Sequence, residues 1–196
     1  MLVFAKTPIV GKVKTRLIPK YGADKALQFY LMMFERLMNE SIKSAVSIEI
    51  WCAPTVKHAI FEKWQKKNQV SLWQQKGADL GERMAYAVDH RLVAAEKVLV
   101  VGCDCPEITA SLLQRAFKLL DSYDVVIQPA EDGGYVMIGM NHYYAELFED
   151  IRWGSKWVYT ETKKKLDKLG VSWVALEMSW DIDHPEDVER WMKIKK

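Results

Sequence analysis

The sequence predicts a three-layer αβα sandwich built on a mixed, mostly parallel sheet, and three observations carry that reading. Short strand-like runs alternate with helix-like segments along nearly the whole chain, the pattern of a sheet covered by helices on both faces. One run, Val98-Leu99-Val100-Val101, is apolar at every position, as a strand buried on both faces is. Two runs, 124–128 and 135–140, are separated by a short Gly-containing loop, which suits an antiparallel hairpin within an otherwise parallel sheet.

In order, strands are expected at residues 2–5, 47–53, 70–74, 97–101, 124–128, 135–140 and 172–177. Between the first two, residues 23–44 place Leu27, Tyr30, Leu31, Phe34 and Met38 at helical spacing, a single buried stripe. Asp79 is placed to cap a further helix, and Thr109 to cap one over 110–120 with Leu112, Leu113, Ala116, Phe117 and Leu120 inward, because short oxygen-bearing side chains accept from free N–H groups of a first turn. Asp183 or His184 opens the last helix ahead of Pro185, since proline suits the first helical turn. No repeat, low-complexity stretch or Gly/Pro/Ser-rich linker divides the chain, so residues 1–196 are expected to form one domain.

Composition narrows the function classes. With 196 residues, 49% of them apolar, the chain can bury a proper core and is not a disordered tail. A net charge of only +2 does not call for a nucleic-acid partner. No apolar stretch approaches a bilayer span, and the start of the chain lacks the pattern of a signal peptide. Cys52, Cys103 and Cys105 are odd in number and lack a framework spacing, which points to a reducing, cytoplasmic setting.

The basic density is local. The first strand empties into a loop carrying Lys6, Lys12, Lys14, Arg16 and Lys20, shaped by Pro8 and Gly11, with no acid between residues 6 and 20. A cation-only, Gly-containing loop between a strand and a helix suits a phosphate group. It is neither a Walker loop nor a Rossmann fingerprint, because Gly11-Lys12 is followed by Val13 and no glycine lies five residues earlier. A solvated basic turn is the plain alternative.

The matching acids lie downstream. Asp104, in Gly102-Cys103-Asp104-Cys105-Pro106, ends an apolar strand, where ligands bind in open α/β sheets. It is either a carboxylate for a hard divalent cation or a turn-capping aspartate. Two thiols two apart are a weak zinc signal, and Cys103 and Cys105 read as small packing residues. Glu131-Asp132-Gly133-Gly134-Tyr135 is either an ordinary hairpin turn or a place where backbone approaches a ligand, with Asp132 as acceptor or base. Asp181 and Asp183 stand one residue apart, on one face if extended. Gly81 and Arg83 enter a helix that could meet the ligand, and Trp153, beside Gly154-Ser155, is a possible sugar or base platform. His58, His90 and His142 show no metal-ligand spacing.

Taken in order, these segments, including Lys6-Thr7-Pro8, Lys14-Thr15-Arg16-Leu17 and Asp181-Ile182-Asp183-His184-Pro185, resemble the largely uncharacterised candidate glycosyltransferases of bacteria and archaea, a group associated with radical-SAM and selenocysteine-type partner proteins. The resemblance covers nearly the whole chain. It implies the Rossmann-like GT-A fold of nucleotide-diphospho-sugar transferases, close to the molybdenum-cofactor and phospholactate guanylyltransferases. By that likeness Lys6, Gly11, Lys14, Thr15, Arg16, Gly81 and Arg83 hold nucleotide phosphates, and Asp104 with Asp181 or Asp183 holds Mg²⁺ or Mn²⁺. Cysteines flank Asp104 where small hydroxyl residues are more usual in the family, and His184 stands where threonine is more usual. The expected activity is metal-dependent transfer of a sugar from a nucleotide-diphosphate donor to an unidentified acceptor. Asp104, Asp132 and Lys14 are then the catalytic candidates, and Gly133, Gly134, Tyr135 and Trp153 contact substrate. A guanylyltransferase-like nucleotidyl transfer from an NTP, and a non-catalytic nucleotide-binding docking module, are the alternatives.

Overall fold

A computed structural model describes residues 1–68 and 70–194. All seven expected strands form: β1 (Leu2–Lys6), β2 (Glu49–Ala53), β3 (Ser71–Gln74), β4 (Val98–Gly102), β5 (Val125–Pro129), β6 (Tyr135–Met140) and β7 (Trp173–Ala175). They make one sheet in the order β3-β2-β1-β4-β6-β5-β7. Only β6 runs against its neighbours, pairing antiparallel with β4 and with β5; the other pairs are parallel. The expected hairpin is β5–β6, with a register irregularity at Gln128/Pro129 just before its turn.

The helices are α1 (Ile18–Tyr21), α2 (Ala23–Lys43), α3 (Ala59–Asn68), α4 (Leu80–Leu92), α5 (Ala110–Leu119), α6 (Val158–Leu169) and α7 (Pro185–Ile194). Strand alternation sends successive side chains to opposite faces, and the core divides accordingly. Val3, Ala5, Ile50, Cys52, Leu99 and Val101 pack with Tyr30, Phe34 and Met38 of α2, Phe61 of α3 and Leu113 of α5. On the other face Leu2, Trp51, Val98, Val100 and Ile138 pack with Met84 and Val88 of α4 and Leu166 of α6. A third cluster joins Leu17, Ala26 and Met33 to Trp180, Ile182, Val188 and Trp191. It fastens the end of the first loop and the start of α2 to the last helix.

Thr109 caps α5 by accepting from the Leu112 N–H at 3.2 Å. Asp79 accepts from the Glu82 N–H at 2.8 Å, while Glu82 reaches back to the Ala78 N–H at 2.7 Å, a reciprocal cap. His184 opens α7 as expected, its carbonyl accepting from the Asp187 and Val188 N–H groups at 3.1 and 3.4 Å, and Asp187 in turn accepts from the Asp183 and His184 N–H groups at 3.0 and 2.6 Å. The Asp183 carboxylate is thereby left for another role. Among the described residues no helix is long and apolar enough to cross a membrane.

The chain leaves β1 for β2 and β3 on one side and later inserts β4 on the other. This is a topological switch point, and ligands bind at the carboxyl edge there. The first loop leaves β1 at that edge, and Asp104 follows the end of β4 beside it.

Candidate nucleotide-phosphate and metal site

Two regions lie at this edge. In the first, Lys14 Nζ stands 3.0 Å from Asp104 Oδ2 and 3.6 Å from Asp183 Oδ1. Arg16 makes a second ion pair with Asp183, and Lys20 pairs with Glu189 of α7. The loop therefore folds down onto the acids. Lys14 adopts a left-handed backbone, φ 46°, a conformation that non-glycine residues adopt at a cost. Its side chain is only 6% exposed. Burial opposes its charge, but Asp104 and then Asp183 outweigh that and hold its pKa above the ordinary lysine value. Burial likewise opposes ionisation of Asp183, yet Lys14 and Arg16 pull its pKa below the usual carboxylate range.

Asp181 behaves oppositely. Burial, then repulsion from Asp104 and Asp132, pushes it up to about 7, with Lys14 only partly offsetting them. Four carboxylates thus share one field with two cations. The segment carrying Asp181 and Asp183 threads between the loops after β4 and β5. Ile182 N–H donates to the Asp104 carbonyl at 3.0 Å, and Ser179 N–H donates to the Pro129 carbonyl at 2.9 Å. Buried Ser179 donates to Glu107 at 2.7 Å and contacts the Cys105 thiol at 3.1 Å. Asp132 turns back on itself, its Oδ1 accepting from the Gly134 N–H at 2.8 Å.

The second region is a cavity of about 380 Å³ lined by Lys6, Thr7, Ile9, Lys12, Ala53, Pro54 and Arg83. It brings together Lys6 and Arg83, which lie far apart in sequence. The Arg83 guanidinium is aimed by bonds to the Gly77 and Ala78 carbonyls at 3.0 and 3.4 Å. Thr7 braces the wall, donating to the Thr55 carbonyl at 2.6 Å and accepting from its N–H at 3.2 Å. Gly11 holds φ 75° with open space where a side chain would stand, so the bend needs glycine for its backbone. Thr15 is exposed at the start of the turn after Lys14.

Four of the expected ligand-contact residues are also tightly packed within the fold. A Cβ on Gly81 would lie 2.1 Å from the Trp153 indole nitrogen, and Trp153 packs edge-on against Tyr135. Both aromatic residues are half-buried and pack against the cluster beneath the sheet. Gly133 is needed for close approach, since a Cβ would lie 2.1 Å from the Lys156 carbonyl oxygen.

The sequence reading missed Tyr30 as anything beyond core. Its hydroxyl donates to the Lys6 carbonyl at 2.6 Å and accepts from the Cys103 thiol at 3.5 Å. It thereby ties the root of the cationic loop to the residue beside Asp104. The available signal was a tyrosine within an apolar stripe, whose hydroxyl needs a partner when buried. The three cysteines are free and buried. Burial pushes the Cys103 and Cys105 thiols up to about 12 and 11.

The fold defined by this sheet is that of the nucleotide-diphospho-sugar transferases. The crystal structure of a candidate nucleotide-diphospho-sugar transferase from Desulfovibrio desulfuricans G20 matches with a TM-score of 0.92 and 32% identity, over 100% of this chain and 86% of that one. The chain belongs to the DUF2064 family, described as uncharacterized protein conserved in bacteria, whose model matches residues 38–155. A nucleotidyl transferase from Methanothermobacter shares the fold at 15% identity and a TM-score of 0.61, over 98% of this chain and 96% of that one. So does the inositol-1-phosphate CTP transferase of T. maritima, at 15% identity and 0.59, over 100% and 95%. No protein of curated function matches the chain in sequence.

Proposed function

We propose that this protein is a divalent-cation-dependent transferase acting on a nucleotide-activated donor, with a nucleotide sugar as that donor and a hydroxyl-bearing small molecule as acceptor. The observation that carries the reading is the juxtaposition, at the switch point, of a carboxylate cluster with a cation-lined cavity. The 32%-identical relative named as a candidate nucleotide-diphospho-sugar transferase supports it.

The donor set suits Mg²⁺ or Mn²⁺. Asp104, Asp181 and Asp183 offer hard oxygens, and the neighbouring thiols are held protonated, which leaves no thiolate for a softer metal. Among the described residues no three His, Cys, Asp or Glu side chains gather closely enough to hold a metal by themselves, so substrate phosphate oxygens would have to supply further ligands. Asp104 with Asp181 or Asp183 would hold the cation, which when bound would neutralise the diphosphate.

The chain's own residues do the rest. Lys6, Lys12 and Arg83 seat phosphate oxygens in the cavity. Lys14 and Arg16 stabilise the negative charge that develops as the nucleoside diphosphate leaves, usually the largest catalytic term. Asp132 keeps Oδ2 to accept the proton of an acceptor hydroxyl, its Oδ1 being occupied.

One feature favours a second reading. Lys6, Lys12, Lys14, Arg16 and Arg83 are more cations than a diphosphate needs. They suit an NTP whose α-phosphate is attacked by a phosphorylated acceptor, forming a new P–O bond and expelling pyrophosphate, as in the guanylyltransferases that the sequence resembles.

Thermal-shift measurements on wild type and Asp104→Ala test this. The ligands are UDP-, GDP-, ADP-, CDP- and dTDP-sugars and the free NTPs, each with Mg²⁺, Mn²⁺ or EDTA. A bound ligand raises apparent stability by mass action. A metal-dependent shift with one nucleotide sugar, lost in the variant, supports sugar transfer; a shift with an NTP alone moves nucleotidyl transfer ahead. Free nucleoside diphosphate or pyrophosphate as product then separates them. Binding without turnover leaves a docking module, and no shift at all overturns the reading.

A further inference from the structure

Lys14 occupies the carboxylate cluster that the transferase reading gives to a metal. Its ammonium sits between Asp104 Oδ2 at 3.0 Å and Asp183 Oδ1 at 3.6 Å, two of the three carboxylates that would be available to a divalent cation. Three observations show that it is held there. Its side chain is almost fully buried, and a buried ammonium without a counter-ion is strongly disfavoured. Its own backbone is left-handed, which places the residue at a cost the surrounding contacts meet. The turns that follow are pinned by Arg16 on Asp183 and Lys20 on Glu189.

A divalent ion and this ammonium cannot occupy the same oxygens together. At such separations their repulsion in a partly buried site is several-fold larger than in water. The metal can enter only when Lys14 is drawn off the carboxylates, and an ammonium leaving them needs another anion. The cavity lined by Lys6, Lys12 and Arg83 adjoins the same loop and is where the phosphates would supply it.

From this geometry we infer that Lys14 is a surrogate cation that makes the site selective for a metal–nucleotide complex over free metal. Resting on the transferase reading above, the inference deepens it. The lysine holds the carboxylates in the free protein and moves onto the phosphates as the metal takes its place. Metal and nucleotide then bind with positive coupling, reciprocal by thermodynamic necessity. The protein is consequently not inhibited or filled by metal alone, and the lysine needed for phosphate charge is delivered only with substrate.

The test is Mn²⁺ binding to the intact protein, followed by the electron paramagnetic resonance of free Mn²⁺ and by titration calorimetry, with no nucleotide present. Lys14→Met keeps chain length and removes the charge. The surrogate role predicts weak Mn²⁺ binding by wild type and binding on the order of tenfold tighter or more in Lys14→Met, within the usual range of coupling between sites. A merely structural or phosphate-binding lysine would give no gain. Lys14→Gln repeats the measurement if the methionine variant unfolds, and Asp104→Asn in the Lys14→Met background must abolish the gain. Equal Mn²⁺ affinity in wild type and variant overturns the inference and leaves the metal reading standing. No Mn²⁺ binding by any of them, with or without nucleoside triphosphate, overturns both.

Discussion

The two halves of the carboxyl edge differ in how their charges are satisfied. On the β4 side, Lys14 and Arg16 are already paired with Asp104 and Asp183. On the β2 side, Lys6, Lys12 and Arg83 line a cavity and, among the described residues, make no ion pair. In the first half both cations are already paired, and a surplus of carboxylate charge remains. In the second the cations stand free to meet an anion. Loop architecture explains the contrast: residues 6–12 are braced toward β2 by Thr7 and Thr55, whereas residues 14–20 are tied to the last helix and the acids before it. Nucleotide phosphates should therefore engage the β2 side first.

The largest expected effect comes from the acid half. Asp104→Asn keeps shape and removes the charge shared by Lys14 and the proposed metal. Turnover of the cognate donor should fall by about 10²- to 10³-fold, the scale of losing a principal electrostatic stabiliser. Single-turnover kinetics checks it, and residual activity near wild type removes Asp104 from the chemistry.

Next comes the cation half. Lys6→Ala and Arg83→Ala should each weaken binding of a nucleoside diphosphate about tenfold or more, since hydrogen bonds to charged groups are worth about 1.5–3 kcal/mol. Neither should alter Mn²⁺ binding in the Lys14→Met background. Calorimetry on the single and combined variants reads this directly. If Arg83→Ala loosens the metal as strongly as the nucleotide, the two halves are not separable.

How much of this was legible beforehand follows the range of the interactions. Strands, hairpin and caps at Asp79 and Thr109 are local, and periodicity and turn chemistry show them. The cationic loop was legible because its charges cluster in sequence, and Asp104, Asp181 and Asp183 because each stands in a short motif at a strand end or ahead of a helix. Their pairing was not, because Lys14 meets Asp104 and Asp183 only through the crossing of β1 and β4 and the return of the chain before α7. The packing of Trp153 was hidden for the same reason. A tryptophan beside Gly154 and Ser155 looks exposed in sequence, yet Gly81, 72 positions earlier, leaves a hollow for its ring. Tyr30 showed only that a buried hydroxyl would need a partner, and Ser179 carries no sequence mark of its tether.

A third prediction concerns the floor beneath both halves. Burial pushes the Cys52 thiol up to about 12 and Tyr30 well above the ordinary tyrosine value. A raised folded pKa means the native state holds its proton where the unfolded chain has lost it. The stability these groups contribute is complete below about pH 9, the ordinary value for a free thiol, and falls as pH climbs toward 12. Thermal melts should show a steady drop in Tm above pH 9. Native protein at pH 8 should leave all three thiols unreactive to a disulfide reagent, because each is buried, while denatured protein reacts at all three.

The smallest effect separates function from stability within the acid half. Asp181 is half of no ion pair among the described residues, and burial together with Asp104 and Asp132 disfavours its charge. Its carboxylate is a cost to the free protein that Lys14 offsets only in part and that a bound cation would offset further. Asp181→Asn should therefore raise the Tm of the ligand-free protein by a few degrees at pH 8, about 1 kcal/mol corresponding to roughly 2–4 °C at this size. The gain should vanish near pH 4, where the native carboxyl is protonated and uncharged. Under saturating Mn²⁺ and nucleotide the order should reverse, with wild type the more stable. A variant destabilised under all conditions would show that Asp181 is held by contacts other than charge, and that the β4 side is less strained by its own acids than its geometry indicates.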